Sequence, residues 1–191
     1  MIWLGLRSRP CALQAYTHLA RRNYMLFRDT IPKVYGHRCD TGVRLSLSAD
    51  PDGLDFGRLG EAPENFKPNF ANPFDERILR LFEPNRQFIT VLHSTIKNHI
   101  HNCPMFSALA AAEAKDSAFF HIYDLRNPPV YGRIPEVEDI IGTVRLDGKG
   151  IVPQSYEANK MYRLATRAGY IQLSDYISEQ LAKQLKHTNP T

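Results

Sequence analysis

Several things this chain does not contain bound it before any motif is read. None of its 191 residues falls in a run approaching the ~18 consecutive apolar positions that a spanning helix needs, so it reads as soluble or at most peripheral to a membrane. Cysteine is scarce: Cys11, Cys39 and Cys103 are odd in number and show no CxxC spacing. A disulfide framework is thereby excluded, and reduced thiols in a reducing compartment are expected. No glycine-rich phosphate loop and no alternation of strand and helix signals appear, which argues against a Rossmann or P-loop protein. A GxSxG elbow is missing, and no histidine stands at a telling interval from Cys39 or Cys103. Cys103 precedes Pro104 at a helix start, where a thiol is acidified, but no base or orienting group accompanies it. No internal repeat or low-complexity block interrupts the chain.

Acidic residues are absent from the N-terminal segment. The first 24 residues, "MIWLGLRSRPCALQAYTHLARRNY", hold Arg7, Arg9, Arg21 and Arg22 without an Asp or Glu. The whole chain has 24 basic and 20 acidic residues, so those four arginines account for its formal charge of +4 and the rest is neutral. An arginine-rich, acid-free start mixing apolar residues with Ser and Thr is the composition of a mitochondrial transit peptide. The membrane potential, negative inside, pulls such a segment inward. Arg22 stands three residues before the Tyr24–Met25 bond, which matches a matrix processing pattern except that Met25 replaces the more usual Ser or Ala. The alternatives are a basic arm or a secretory start; the latter is disfavoured because Arg7, Arg9 and Pro10 break the apolar part.

What is present beyond residue 24 divides in two. Residues 25–73 read as an extended, loop-rich segment: Gly, Pro, Asn and Asp dominate from Cys39 to Pro73, with "GVRLSLS" a short strand and "DPDG" a turn. Leu54, Phe56, Leu59, Phe66 and Phe70 would pin it to its own domain. Residues 74–191 read as an α+β core. "NPFDERILRLF" predicts a helix opened by Asn72 and Pro73, with acids in its first turn. "NRQFITVLHSTIKNHI" predicts a second, capped by Asn85, with Phe88, Leu92, Ile96 and Ile100 on one face. "NCPMFSALAAAEAK" predicts a third, small enough on one side to pack against a sheet. The period then changes from helical to alternating in "FFHIYDL", "DIIGTVRLD", "NKMYRLAT" and "YIQL", with "DGKG" and "TRAG" as turns. "SDYISEQLAKQLKH" closes the chain as a helix capped by Ser174. Helices, then an antiparallel meander and a C-terminal helix, make an α+β plan.

His93, His99, His101 and Cys103 are chemically suited to zinc, but His99 and His101 lie roughly 200° apart on a continuous helix. A helix C-terminus favours histidine without any metal, so no metal is assigned. His121 reads as a hydrogen-bonded strand residue. An RNA-binding sheet would need exposed aromatics among basic residues, and Tyr123, Tyr162 and Tyr170 with Arg145, Arg163 and Arg167 are the candidates. The neutral remainder offers little phosphate neutralisation, so RNA is the third choice.

The most specified stretch is "RNPPVYGRIPEVEDIIGTV". Pro128, Pro129 and Pro135 fix the backbone and remove donors, and Gly132 permits a tight reversal. Asp124, Arg126, Asn127, Tyr131, Arg133 and Glu138 crowd this stiff frame and are the candidate partner- or ligand-binding residues. Alternatively Asp124 or Glu138 pairs with Arg126 or Arg133 across the base and only fixes the crossing. "LGEAPENFKPN", this loop and "YRLATRAGYIQLS" resemble a family of uncharacterised fungal proteins directed to mitochondria, over about Gly57 to the C-terminal helix. The resemblance implies a mitochondrial address and no activity, cofactor or catalytic residue.

The expectation is a non-catalytic accessory or assembly factor of the mitochondrial matrix that binds a protein partner through the 124–139 loop. The second choice is an enzyme or binder whose Asp124, Arg126, Arg133 and Glu138 hold an anionic metabolite. No catalytic residue or cofactor is assigned, and the oligomeric state is open.

Overall fold

The helix α1 (Arg86–His99) organises the core, and it begins where its cap allows. The Asn85 side chain accepts the N–H of Gln87 at 2.9 Å, satisfying one of the donors a helix start leaves open. Phe88, Leu92 and Ile96 then fall on one face and are fully buried, while Lys97 stays exposed. The computed structural model describes residues 24–28, 33–40, 42–60, 79–130 and 133–188. After α1 a 3-10 turn (Ile100–Asn102) leads into α2 (Pro104–Glu113), whose Phe106 meets Phe120 ring to ring at 6.3 Å. The C-terminal helix α3 (Asp175–Thr188) follows Ser174, whose carbonyl accepts the N–H of Ser178 at 2.8 Å. It packs on α1, where the Thr95 hydroxyl donates to Gln184 Oε1 at 2.7 Å.

Among the described residues, two larger antiparallel sheets and a two-stranded hairpin complete an α+β fold. The first is a five-stranded meander in chain order: β1 (Tyr24–Arg28), β2 (Val34–Cys39), β3 (Gly42–Ser46), β4 (Asp55–Leu59) and β5 (Phe82–Pro84). The second pairs β6 (Phe119–Tyr123) with β7 (Ile140–Asp147), and β7 continues to β8 (Gly150–Ile151) and β9 (Glu157–Ala158). A small hairpin of β10 (Ala165–Thr166) and β11 (Gly169–Tyr170) turns at Gly169, whose φ of +137° suits a residue without Cβ. Phe56 joins the layers: its ring lies 5.9 Å from Phe88 of α1 and 5.8 Å from Tyr170 of β11. No helix among the described residues is long and apolar enough to cross a membrane.

Three sequence expectations are revised in detail. The strand expected in "GVRLSLS" is β3 and the anchor Phe56 is fully buried, but the chain on either side is less loop-like than expected, because β2 and β4 pair with β3. Phe82 is not helical: helix residues end at Arg80, and Phe82 pairs with Leu59 as a strand. The segment from Asn159 to Leu164 turns instead of extending, since Asn159 Oδ1 accepts the N–H of Met161 at 2.9 Å. Residues 1–23, the residues before Leu79 on which Asn72 and Pro73 would open a helix, and the anchors Phe66 and Phe70 lie outside the described residues.

Candidate functional site

Where β6 ends and β7 begins, the chain must leave the sheet and return, and its polar residues close that gap. The N–H of Asp124 donates to the carbonyl of Asp139 at 2.8 Å across the base of the loop. The Asp124 carboxylate turns inward and is fully buried. Its Oδ1 accepts the N–H groups of Arg126 at 3.0 Å and Gln172 at 2.9 Å, and its Oδ2 accepts the Tyr162 hydroxyl at 2.7 Å.

Arg126 lies between two carboxylates with a side chain that is 0% exposed. Its Nε donates to Asp139 Oδ1 at 2.8 Å, its Nη2 lies 2.8 Å from the same oxygen, and its Nη1 lies 3.7 Å from Asp124 Oδ2. The remaining donors reach backbone carbonyls of Gly169 (3.3 Å), Glu138 (3.3 Å) and Arg163 (2.6 Å). Asn127 Nδ2 donates to the other Asp139 oxygen at 3.0 Å, and the guanidinium carbon stands 5.7 Å from the Tyr162 ring centroid. Such a planar fork satisfies several fixed acceptors at once, which Lys could not do.

The electrostatics follow from two carboxylates around one guanidinium in a dry site. Burial pushes the Asp124 carboxyl above its ordinary range, opposed by Arg126, the two backbone N–H groups and the Tyr162 hydroxyl. Tyr162 is held well above its ordinary value, first by burial and then by the Asp124 charge it faces. Arg126 therefore belongs to the frame of the loop, with no guanidinium surface left for a dissolved anion.

The loop tip is different in kind. Val130 (72% exposed), Ile134 (77%) and Val137 (56%) stand in solvent, and so does Met161 (61%) on the neighbouring turn. These are four of the six large apolar side chains exposed among the described residues. The Met161 turn is tied to the loop, because Asn159 Nδ2 donates to the carbonyls of Val137 and Ile140, both at 2.8 Å. Arg133 is exposed, its side chain in no ion pair among the described residues, while its N–H closes a turn onto the Val130 carbonyl at 3.0 Å. Glu138 is half-buried and stands 3.8 Å from Arg163. Tyr131 lies outside the described residues.

The six sequence candidates thus divide. Asp124 and Arg126 meet in one buried cluster, exposed Asn127 reaches it through one hydrogen bond to Asp139, Glu138 enters it only through its carbonyl, and Arg133 faces water. Two members are not among those candidates: Asp139, and Tyr162, which the sequence offers as an RNA-stacking candidate. The apolar tip was also missed, although apolar residues spaced between prolines in "PPVYGRIPEV" are a visible signal.

Elsewhere, chemically active side chains are tied into local contacts. His93 Nδ1 bonds the Tyr156 hydroxyl at 2.8 Å, His121 Nδ1 bonds the Thr143 hydroxyl at 3.0 Å, and Cys103 Sγ lies 3.3 Å from Ser174 Oγ. No group of three His, Cys, Asp or Glu among the described residues is arranged to hold a metal. Tyr170 is buried in the core, Tyr123 packs edge-on to Phe106 at 5.6 Å, and Tyr162 turns its hydroxyl onto Asp124 at 2.7 Å. Comparison with protein-family models, curated proteins and solved structures returns no match.

Proposed function

We propose that this protein is a non-catalytic accessory or assembly factor of the mitochondrial matrix, and that it grips a protein partner with the 124–139 loop. The observation that carries this is the pairing of an exposed apolar tip, Val130, Ile134, Val137 and Met161, with a fully buried ionic clasp beneath it. Apolar side chains gathered at one exposed place favour association, because burying them against a partner removes them from water. A loop whose ends are already fixed has less freedom to lose on binding, so more of that gain remains as affinity. The partner surface this suits is an apolar depression that takes Ile134 and Val137, while Arg133 and Glu136 remain at the polar rim. The matrix address is supported by the four arginines and the missing acids before Met25.

The test is site-specific photo-crosslinking in isolated mitochondria, with the reactive group at position 134 and, as a control, at exposed Glu179 on α3. A discrete crosslinked protein is expected from position 134 alone, lost when Val137 is changed to Asp with the melting temperature unchanged. Identical crosslinks from both positions, or none from 134, would refute partner binding by the tip.

A further inference from the structure

A second feature stands beside the loop and is not used by the partner-binding tip. A cleft of about 680 Å³ opens between the β5 end of the first sheet and the segment that runs from Tyr162 to Arg167. Its size lies within the ~300–1,000 Å³ typical of small-molecule sites. Its composition has two parts. Leu79, Phe82, Ile89 and Leu164 give it an apolar floor, and three arginines, Arg80, Arg163 and Arg167, line it with Glu138 as the one carboxylate among its described residues. We infer that this cleft binds a metabolite-sized amphiphilic anion, an apolar body carrying a carboxylate, phosphate or sulfonate head.

The walls are set before any ligand arrives. The Arg163 carbonyl is held by buried Arg126 at 2.6 Å, and the Arg163 N–H donates to the Glu138 carbonyl at 3.0 Å. Leu164 is fixed by the N–H of Ile171 at 2.9 Å, and the Phe82 ring rests against Phe56 at 6.1 Å and Tyr170 at 6.3 Å. Guanidinium groups present paired donors that match carboxylate and phosphate oxygens, so arginines beside apolar lining residues suit a head and a body together. The Arg163 to Glu138 pair does not block this. It is long at 3.8 Å and solvated on both sides, with 68% and 42% of the side chains exposed, so it contributes little and yields to an anion with better geometry. The inference does not depend on the loop having a partner.

The probe is 8-anilinonaphthalene-1-sulfonate, titrated by fluorescence against the folded full chain. Saturable binding at one site is expected, displaced by octanoate and octyl phosphate below their micelle concentrations. Octyltrimethylammonium and inorganic phosphate, each lacking one half of the required chemistry, should leave the probe in place. The double variant Arg80→Glu, Arg163→Glu should bind it at least tenfold more weakly at an unchanged melting temperature, whereas Ile134→Asp should bind as the parent does. If charge reversal disturbs folding, Arg80→Gln with Arg163→Gln is expected to give a smaller loss in the same direction. Sedimentation with phosphatidylglycerol vesicles separates the sources of such an anion: co-sedimentation lost in the double variant assigns the head to a membrane lipid, and its absence alongside displacement by octanoate assigns a free metabolite. Probe binding that is absent, that survives both arginine variants, or that octyltrimethylammonium displaces equally well overturns the inference.

Discussion

Removing Arg126 is the sharpest perturbation the loop allows, because one side chain closes the whole clasp. In Arg126→Ala, Asp139 loses two contacts at 2.8 Å and buried Asp124 loses its nearby positive charge. The carbonyls of Gly169, Glu138 and Arg163 lose donors at the same time. Truncating one partner of a buried ion pair costs ~3–5 kcal/mol, chiefly because a charge is stranded away from water. In a domain of this size each kcal/mol moves the melting temperature by ~2–4 °C, so a fall of roughly 6–20 °C is expected. Arg133→Ala removes an exposed side chain with no ion partner among the described residues and should stay within about 0.5 kcal/mol of the parent. Two milder changes grade the effect. Arg126→Lys keeps the charge but not the fork, and Tyr162→Phe deletes the 2.7 Å donation to Asp124, a loss of ~1–3 kcal/mol. Thermal scans by circular dichroism, repeated as urea titrations, measure all four. An Arg126→Ala protein melting within 2 °C of the parent (about 1 kcal/mol or less) would mean the clasp does not hold the loop.

Other consequences are independent of that cluster. Leu92→Ala, at a fully buried position on α1, should cost ~2–5 kcal/mol, against almost nothing for exposed Lys97→Ala; similar losses by thermal scan would mean α1 buries a different face. Gly142→Ala places a methyl group against the Tyr156 ring and the Glu157 carbonyl, so ~1–3 kcal/mol of overpacking is expected in urea titration, and a neutral result would show that β9 can yield. Burial lowers the His93 pKa below 6.5, so as pH falls the unfolded chain takes up the proton first. The stability this residue contributes is therefore complete above pH 6.5 and declines as pH falls from there toward its folded value; His93→Gln should flatten that part of a melting-temperature profile. Residues 1–24 fused to a reporter should carry it into mitochondria, and a reporter left in the cytosol refutes the matrix address.

How much of this was legible depended on the range of the interaction. Helix α1 was readable because its cap and its apolar face lie within one segment: Asn85 to Gln87, then Phe88, Leu92 and Ile96 at helical spacing. The turn at Gly169 was readable for the same reason, since "TRAG" carries its own backbone requirement. Strands β2 and β4 were not. "VYGHRC" and "DFGRL" look polar and broken locally, and they hold only because each pairs with a neighbour on both sides. Gly57, which looked like a loop signal, is a packing residue: a Cβ there would strike the Phe82 ring from β5. The place of Tyr162 in the clasp was not legible on similar grounds, as its partner Asp124 is 38 positions away and nothing local announces that contact.

The loop itself shows why a list of polar residues cannot be read as a binding site without knowing which of them are dry. Asp124, Arg126 and Asp139 spend their hydrogen bonds on one another, on neighbouring side chains and on backbone, so in the proposed recognition they act indirectly, by fixing the base of the loop. The tip then needs few polar groups. Val130 and Val137 are stiff at χ1, and an Ile side chain loses only ~0.5–1 kcal/mol of rotamer freedom when held. Burying apolar area at ~25 cal/mol per Å² exceeds such a cost once a few tens of Å² are covered. Frame and tip should consequently fail in different ways. Ile134→Asp should abolish crosslinking to a partner while leaving the melting temperature in place, since 77% of Ile134 is already in water. Arg126→Ala should lose binding only to the extent that it loses fold, and cooling that protein well below its transition should restore the crosslink. A clasp variant that is fully folded yet unable to bind would show instead that Arg126 touches the partner, which its burial forbids.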